Sequence, residues 1–85
     1  MNTLKRIKQY IDYKGITNQN FEKLIGFSNG AFASQLKNNR TIGVDKLENI
    51  LIAFPELNPE WLLTGNGEMI KTKSKKNVIE KNYNK

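Results

Sequence analysis

The chain contains neither cysteine nor histidine, and these two absences exclude several kinds of site. Without cysteine, no disulfide bond can brace the fold, which suits the reducing conditions of a cytoplasm. Without histidine, the chain lacks the commonest general base and the commonest metal ligand. Its eight acidic residues form no dense cluster or calcium-loop motif. We therefore expect a protein that is not an enzyme and has no metal, cofactor or small-molecule substrate.

Long hydrophobic runs are also absent from the 85 residues. The longest apolar run, ILIAF at positions 50–54, is far shorter than the roughly 20 residues that a membrane-spanning helix needs. The N-terminal segment is amphipathic and lacks the apolar region of a secretory signal peptide. These features predict a cytoplasmic protein with no membrane partner.

The net charge of +6 is divided unevenly along the chain. Residues 1–40 hold seven Lys or Arg and two Asp or Glu, a net charge of +5, whereas residues 41–70 hold one Lys and five acids, a net charge of −4. Residues 71–85 hold six Lys and one Glu, again a net charge of +5. Such a charge distribution orients the basic half of the domain toward a polyanion, which points to nucleic acid as a partner.

Apolar residues recur at helical spacing as far as about residue 70, and no segment alternates with the period of a strand. We therefore expect an all-α domain over residues 1–70, a compact bundle of five short helices. The apolar pattern is lost over residues 71–85, which are predicted to form a basic flexible tail or linker. The residues expected to face the core are Leu4, Ile7, Tyr10, Ile11, Phe21, Leu24, Ile25, Phe27, Phe32, Leu36, Val44, Leu47, Ile50, Leu51, Phe54 and Trp61.

Capping residues and glycines mark the predicted ends of the helices. Gly15 ends the first helix, and Thr17 caps the second. Ser28 is the expected N-cap of a third helix that runs to about residue 37 or 38. A fourth helix starts near residue 43 or 44 and stops before Pro55, and the sequence NPE at positions 58–60 starts a fifth.

The second and third helices, joined by a turn at Gly26, form a predicted helix-turn-helix, whose third helix is free to enter the major groove of DNA. Asn29, near the start of that helix, suits the edge of an adenine, while Lys37 and Arg40 at its end suit guanine or phosphate. Small side chains between them permit close approach to the double helix. These small residues are Gly30, Ala31, Ala33 and Ser34.

Over about residues 3–70 the chain resembles the lambda-repressor-like (Cro/repressor, XRE-type) helix-turn-helix family. The segment PELNPEWLLTGNGEM, positions 55–69, is similar to one branch of it, the N-terminal DNA-binding domains of bacterial and phage repressors. The resemblance implies a transcriptional regulator of the repressor type. The other matching residues are Phe21, Leu24, Ile25, Gly26, Phe27, Ser28, Phe32 and the run VDKL at positions 44–47.

The resemblance also implies which residues contact DNA, with the third helix as the recognition helix. The start of the second helix is expected to approach a phosphate, and the residues after the third helix to hold the DNA backbone. Because a domain this small offers few phosphate contacts, we expect a homodimer on a palindromic operator. The expected DNA-binding residues are Thr17, Asn18, Gln19, Ser28, Asn29, Gly30, Ala31, Ala33, Ser34, Lys37, Asn38, Asn39, Arg40 and Thr41.

Two positions depart from the family pattern. The family usually has a small residue where this chain has Glu22, and we expect this carboxylate to bend outward or to pair with a basic residue such as Lys23. An apolar residue is common near Gln35, whereas in this chain Leu36 is expected to take the buried role.

Other interpretations of the same residues stay open. Asn29 can support a cap, Lys37 can face solvent, and the two asparagines at positions 38 and 39 can simply form a turn. The main alternative function is a small helical protein-interaction module, such as an antitoxin or an adaptor, because a fold does not by itself determine a function.

Overall fold

In the computed structural model, residues 2–71 are described, and they form five helices joined by short turns. The only extended pairing in this part of the chain is a single antiparallel bridge between Leu57 and Ile70. The predicted all-α class with five short helices is therefore confirmed. The predicted tail, apart from Lys71, lies outside the described residues. The helices are α1 (Thr3–Lys14), α2 (Asn18–Ile25), α3 (Ala31–Lys37), α4 (Val44–Ala53) and α5 (Pro59–Thr64).

Local side chains explain where several helices begin and end. Thr17 Oγ1 accepts a hydrogen bond from the backbone N–H of Asn20 at 3.1 Å, and Asn58 Oδ1 accepts one from the N–H of Glu60 at 3.1 Å. Gly15 follows α1 with a φ of 75°, a left-handed conformation that glycine adopts without strain. These boundaries agree with the prediction from the sequence.

The core is a cluster of aliphatic and aromatic side chains from all five helices. The ring centroid of Phe21 on α2 lies 4.8 Å from that of Phe32 on α3 and 6.4 Å from that of Phe54 after α4. Removing apolar surface from water stabilises such contacts by roughly 25 cal/mol per Å². The shared aromatic contacts therefore hold α3 against α2 and the end of α4. The buried members are Leu4, Ile7, Tyr10, Ile11, Phe21, Ile25, Phe32, Ile50, Phe54, Leu57, Trp61 and Leu62.

Two residues predicted to face the core are instead exposed, Leu24 at 58% and Val44 at 69%. Glu22 occupies the buried face of α2, and Leu24 lies about 200° around the helix from it, at roughly 100° per residue. Along α4, burial decreases toward the N-terminus: Ile50 is buried, Leu47 is half-buried, and Val44 in the first turn projects into solvent. The apolar pattern thus overestimates the width of both buried faces.

Arg6 is a buried charged residue that joins α1 to α5. Its Nε donates a hydrogen bond to the carbonyl oxygen of Leu62 at 2.8 Å, and its Nη2 donates one to that of Leu63 at 3.2 Å. These carbonyls lie in the last turn of α5, where no following turn supplies N–H donors. Apolar periodicity alone does not reveal this contact.

None of the helices in residues 2–71 combines the length and the apolar character that crossing a bilayer requires. The same residues bring together no group of three acidic side chains able to hold a metal ion.

Candidate nucleic-acid interface

The connection between α2 and α3 is a tight turn over residues 28–31. The backbone N–H of Ala31 donates a hydrogen bond to the carbonyl oxygen of Ser28 at 2.9 Å. Gly30 has φ 84° and ψ −5°, which are the angles of the third residue of a type II turn. The prediction that Ser28 caps α3 is therefore wrong, because the Asn29-Gly30 pair takes up a turn and the helix begins only at Ala31.

Glu22 on α2 supplies the cap that Ser28 does not. Its Oε1 accepts a hydrogen bond from the N–H of Gly30 at 2.8 Å, and its Oε2 accepts from Phe32 at 2.8 Å and from Ala33 at 3.3 Å. The residue is only 3% exposed. The expectation that this carboxylate bends outward or pairs with a basic side chain is thus wrong. The free N–H groups and positive end of α3 attract it inward.

The outward face of α3 is small and polar. Phe32 is fully buried, whereas Ala33, Ser34 and Lys37 are exposed and Ala31 is half-buried. Because the buried ring fixes the rotation of the helix, the predicted recognition residues on α3 share the solvent side. This surface can be approached closely by a partner, and it ends in a cation.

Gln35 and Leu36 are the other residues of α3 that lie toward the core. Both are half-buried, and Leu36 packs against the core cluster. The expectation that Leu36 takes the buried role in place of Gln35 is therefore only partly right, because the two residues share it. The Oε1 atom of Gln35 is buried without a hydrogen-bond donor among residues 2–71.

A groove runs along one side of α3 and brings together residues from two segments. Its lining combines the helix with the chain that follows, so that the cationic side chain of Arg40 stands at the edge of the polar helix face. Gln35 is a member that the DNA-contact prediction missed, although its spacing from Ala31 (i, i+4) places the two on one face of the helix. The lining residues are Ala31, Ser34, Gln35, Arg40 and Thr41.

The two asparagines after α3 differ in role. Asn38 is exposed, and its Nδ2 donates a hydrogen bond to Ser34 Oγ at 3.3 Å. Asn39 has a φ of 57°, and its Oδ1 accepts a hydrogen bond from Asn2 Nδ2 at 2.8 Å. Asn39 is thus a turn former held against the start of α1, whereas the neighbouring Arg40 is exposed at the surface.

The start of α2 supplies a second polar surface. Thr17 and Gln19 are exposed, and Asn18 is half-buried. The backbone N–H groups of Asn18 and Gln19 lie in the first turn of the helix, where no preceding turn supplies an acceptor. Lys8 on α1 lies beside them, since its Nζ donates a hydrogen bond to Asn18 Oδ1 at 3.0 Å. Sequence reasoning missed Lys8, because only the fold brings it to α2.

Ion pairing leaves the cations at the end of α3 without acidic partners in the described part of the chain. The three ion pairs found there join Lys8 to Asp12, Lys14 to Glu56 and Lys46 to Asp45. The hydrogen bond and charge of the Lys46 ammonium hold the pKa of Asp45 below its ordinary value. Lys37 and Arg40 remain free to neutralise an external anion.

No protein-family model, curated protein or solved structure matches the chain.

Proposed function

We propose that the chain is a sequence-specific, double-stranded DNA-binding protein of the helix-turn-helix type, acting in the cytoplasm as a transcriptional repressor of the phage or prophage kind. One observation carries the proposal. The helix α3 directs Phe32 into the core and presents Ser34 and Lys37 outward, with a cationic end that no acidic residue in the described part neutralises. A small polar face with a basic end fits the major groove of a double helix.

The proposed contacts divide into base recognition and backbone binding. Asn29, in the exposed turn before α3, reads an adenine edge, and Ser34 and Ala33 allow the helix to approach the bases. Lys37 and Arg40 bind guanine or phosphate. The start of α2, with its free N–H groups, holds a second phosphate. Backbone contacts of this kind set affinity, and base contacts set sequence preference.

Dimerisation follows from the size of this interface. One copy of so small a surface neutralises few phosphates and binds weakly. Two copies related by a two-fold axis place their recognition helices about 34–36 Å apart, one turn of DNA, and read a palindrome. Bound in this way, the dimer would block access to a promoter.

Selection of bound sequences from a random duplex pool tests the proposal directly. We expect enrichment of one motif with two inverted half-sites about 10 base pairs apart, centre to centre. The control is the same selection with Phe32→Ala, which removes the ring that fixes the rotation of α3 and should yield no motif. A parent chain that enriches no sequence over the starting pool, at moderate salt, would contradict sequence-specific binding.

A second candidate function is the protein-interaction module, an antitoxin or an adaptor. The observation that favours it is the exposure of large apolar side chains, with Ile52 exposed at 78% and Val44 at 69% on α4. The two functions differ in their response to salt. DNA binding weakens steeply as salt rises, whereas association through apolar surface does not.

A further inference from the structure

We infer that Glu22 is a positioning residue that sets the orientation of α3 and thereby determines which side chains α3 presents to DNA. The inference rests on the proposed function, because it concerns how the recognition helix is held. Glu22 itself is buried and contacts no DNA in this proposal. It acts through the backbone of the helix that does.

Glu22 connects both sides of the turn through different atoms. Its backbone carbonyl accepts hydrogen bonds from the N–H groups of Gly26 at 3.0 Å and Phe27 at 2.9 Å, where the chain leaves α2. Its carboxylate accepts from Gly30, Phe32 and Ala33, where the chain enters α3. A single residue therefore fixes the end of one helix and the start of the next.

The helix α3 has few other anchors. It contains only seven residues, has no side-chain cap of its own at its N-terminus, and has Phe32 as its one buried residue. So short a helix depends on its packing. Phe32 and the half-buried Leu36 fix which face of α3 points inward, but they leave the start of the helix free to pivot. Hydrogen bonds to the amides of Gly30 and Ala33, on either side of the ring, restrict that pivot. The direction of Ser34 and Lys37 depends on this restriction.

Both carboxylate oxygens are required for this role. Glutamine has nearly the same shape, but it offers one acceptor oxygen and one –NH₂ donor. In Glu22→Gln, the –NH₂ group would face a backbone N–H, either that of Gly30 or those of Phe32 and Ala33. The substitution therefore preserves the volume of the side chain and removes half of the clamp, together with the negative charge at the start of α3.

The test compares full-length Glu22→Gln with the parent on the selected operator duplex and on a random duplex, by fluorescence anisotropy. Measurements are made well below each thermal unfolding transition, with folding verified by circular dichroism. We expect the operator-to-random affinity ratio to fall roughly tenfold, the scale of one bidentate base contact, while the salt slope on random duplex stays unchanged. Should Glu22→Gln not fold, Glu22→Asp keeps the charge but shortens the reach, and the same fall in ratio is expected.

The control is Asn58→Ala, which removes the N-cap of α5 and weakens folding without touching α3. Its operator-to-random ratio should equal that of the parent. A Glu22→Gln ratio equal to the parent's would overturn the positioning role and leave the proposed function intact. The positioning role would also be overturned if the operator-to-random affinity ratio fell as far in Asn58→Ala as in Glu22→Gln. A parent chain with no preference for any duplex would overturn the proposed function, and this role with it.

Discussion

At the scale of single residues, Asn39 occupies a backbone conformation that few residue types tolerate. Its φ of 57° is the only positive φ of a non-glycine residue in the described part of the chain. Asparagine enters this left-handed region at less cost than most residues, because its short polar side chain bonds locally. Here the side chain also receives the hydrogen bond from Asn2. A structural role in the turn after α3 is therefore sufficient to explain this asparagine.

We expect Asn39→Ala to lower the free energy of unfolding by about 1–2 kcal/mol, the cost of a left-handed conformation for a residue with a Cβ. Asn39→Gly tolerates the left-handed conformation but loses an exposed hydrogen bond and makes the unfolded chain more flexible. Its decrease in the free energy of unfolding should stay below about 1 kcal/mol. Urea denaturation at neutral pH measures both. Asn38→Ala is the matched control, since φ at that position is −95°. Equal losses in the alanine and glycine variants at position 39 would contradict the argument from backbone strain.

At the scale of helices, a polar contact joins α1 to the connection between α4 and α5. The hydroxyl of Tyr10 donates a hydrogen bond to Glu56 Oε2 at 2.6 Å, and Lys14 Nζ lies 2.9 Å from the same oxygen. Burial, and then the hydrogen bond to Glu56, raise the pKa of Tyr10 far above its ordinary value. The hydrogen bond from Tyr10, and then that from Lys14, hold the pKa of Glu56 below its ordinary value.

These shifts predict that Tyr10→Phe reduces the dependence of stability on pH. Because the folded-state pKa of Glu56 is lowered, its contribution is complete above the ordinary value of 4.5 and is lost as the pH falls through the folded-state value. Because the pKa of Tyr10 is raised, its contribution is present below the ordinary value of 10.0 and declines at higher pH. Tyr10→Phe should therefore unfold more easily near neutrality, with a weaker further loss of stability in acid and in alkali.

Urea denaturation from about pH 3 to about pH 11 measures this change, with the free energy of unfolding compared at each pH between the parent and Tyr10→Phe. The control is Lys14→Gln, which removes the second hydrogen bond to Glu56 together with the lysine charge, and leaves the Tyr10 hydroxyl in place. Its loss of stability in acid should be smaller than that of the parent, and its loss in alkali should persist. An acid dependence in Tyr10→Phe identical to that of the parent would exclude this role for the tyrosine.

The same scale shows how much of the fold could be predicted from the sequence. The boundaries at Gly15 and Thr17 were predictable because a cap is decided by a few adjacent residues. The burial of Phe32 was predictable because a helical stripe repeats within one element. The start of α3 could not be predicted. Ser28 as an N-cap and Asn29-Gly30 as a turn are both compatible with the local sequence, and the choice between them involves the hydrogen bonds of the distant Glu22.

Parts of the candidate site that depend on contacts between helices could not be predicted. Lys8 reaches the start of α2 only because α1 folds back against it. Arg6 and Glu22 are buried because their partners are backbone groups at the end of another helix, and neither apolar periodicity nor charge reveals such a partner. The predicted face of α3 with Ser34 and Lys37 outward was accessible from the sequence, because it follows from the position of Phe32.

At the scale of the whole molecule, the lysines differ in whether an acidic residue pairs with them. Lys14 belongs to the basic half of the chain but lies 2.9 Å from Glu56, an acid of the other half. Lys37 is exposed at the end of α3 and has no acidic partner within residues 2–71. Both carry one positive charge, so net charge alone does not distinguish them. Only an unpaired cation at the interface releases counterions from DNA when it binds.

This difference predicts unequal effects of two substitutions that change the charge equally. Lys37→Gln should reduce the slope of log affinity against log salt by about 0.9 for each copy bound, the value for one neutralised phosphate. Lys14→Gln should leave the slope nearly unchanged, because its ammonium is already paired with a carboxylate. Titration of a fixed duplex at several salt concentrations measures both slopes. Equal reductions would mean that the chain attracts DNA through its overall charge rather than through α3, and the end of that helix would lose its assigned role in the interface.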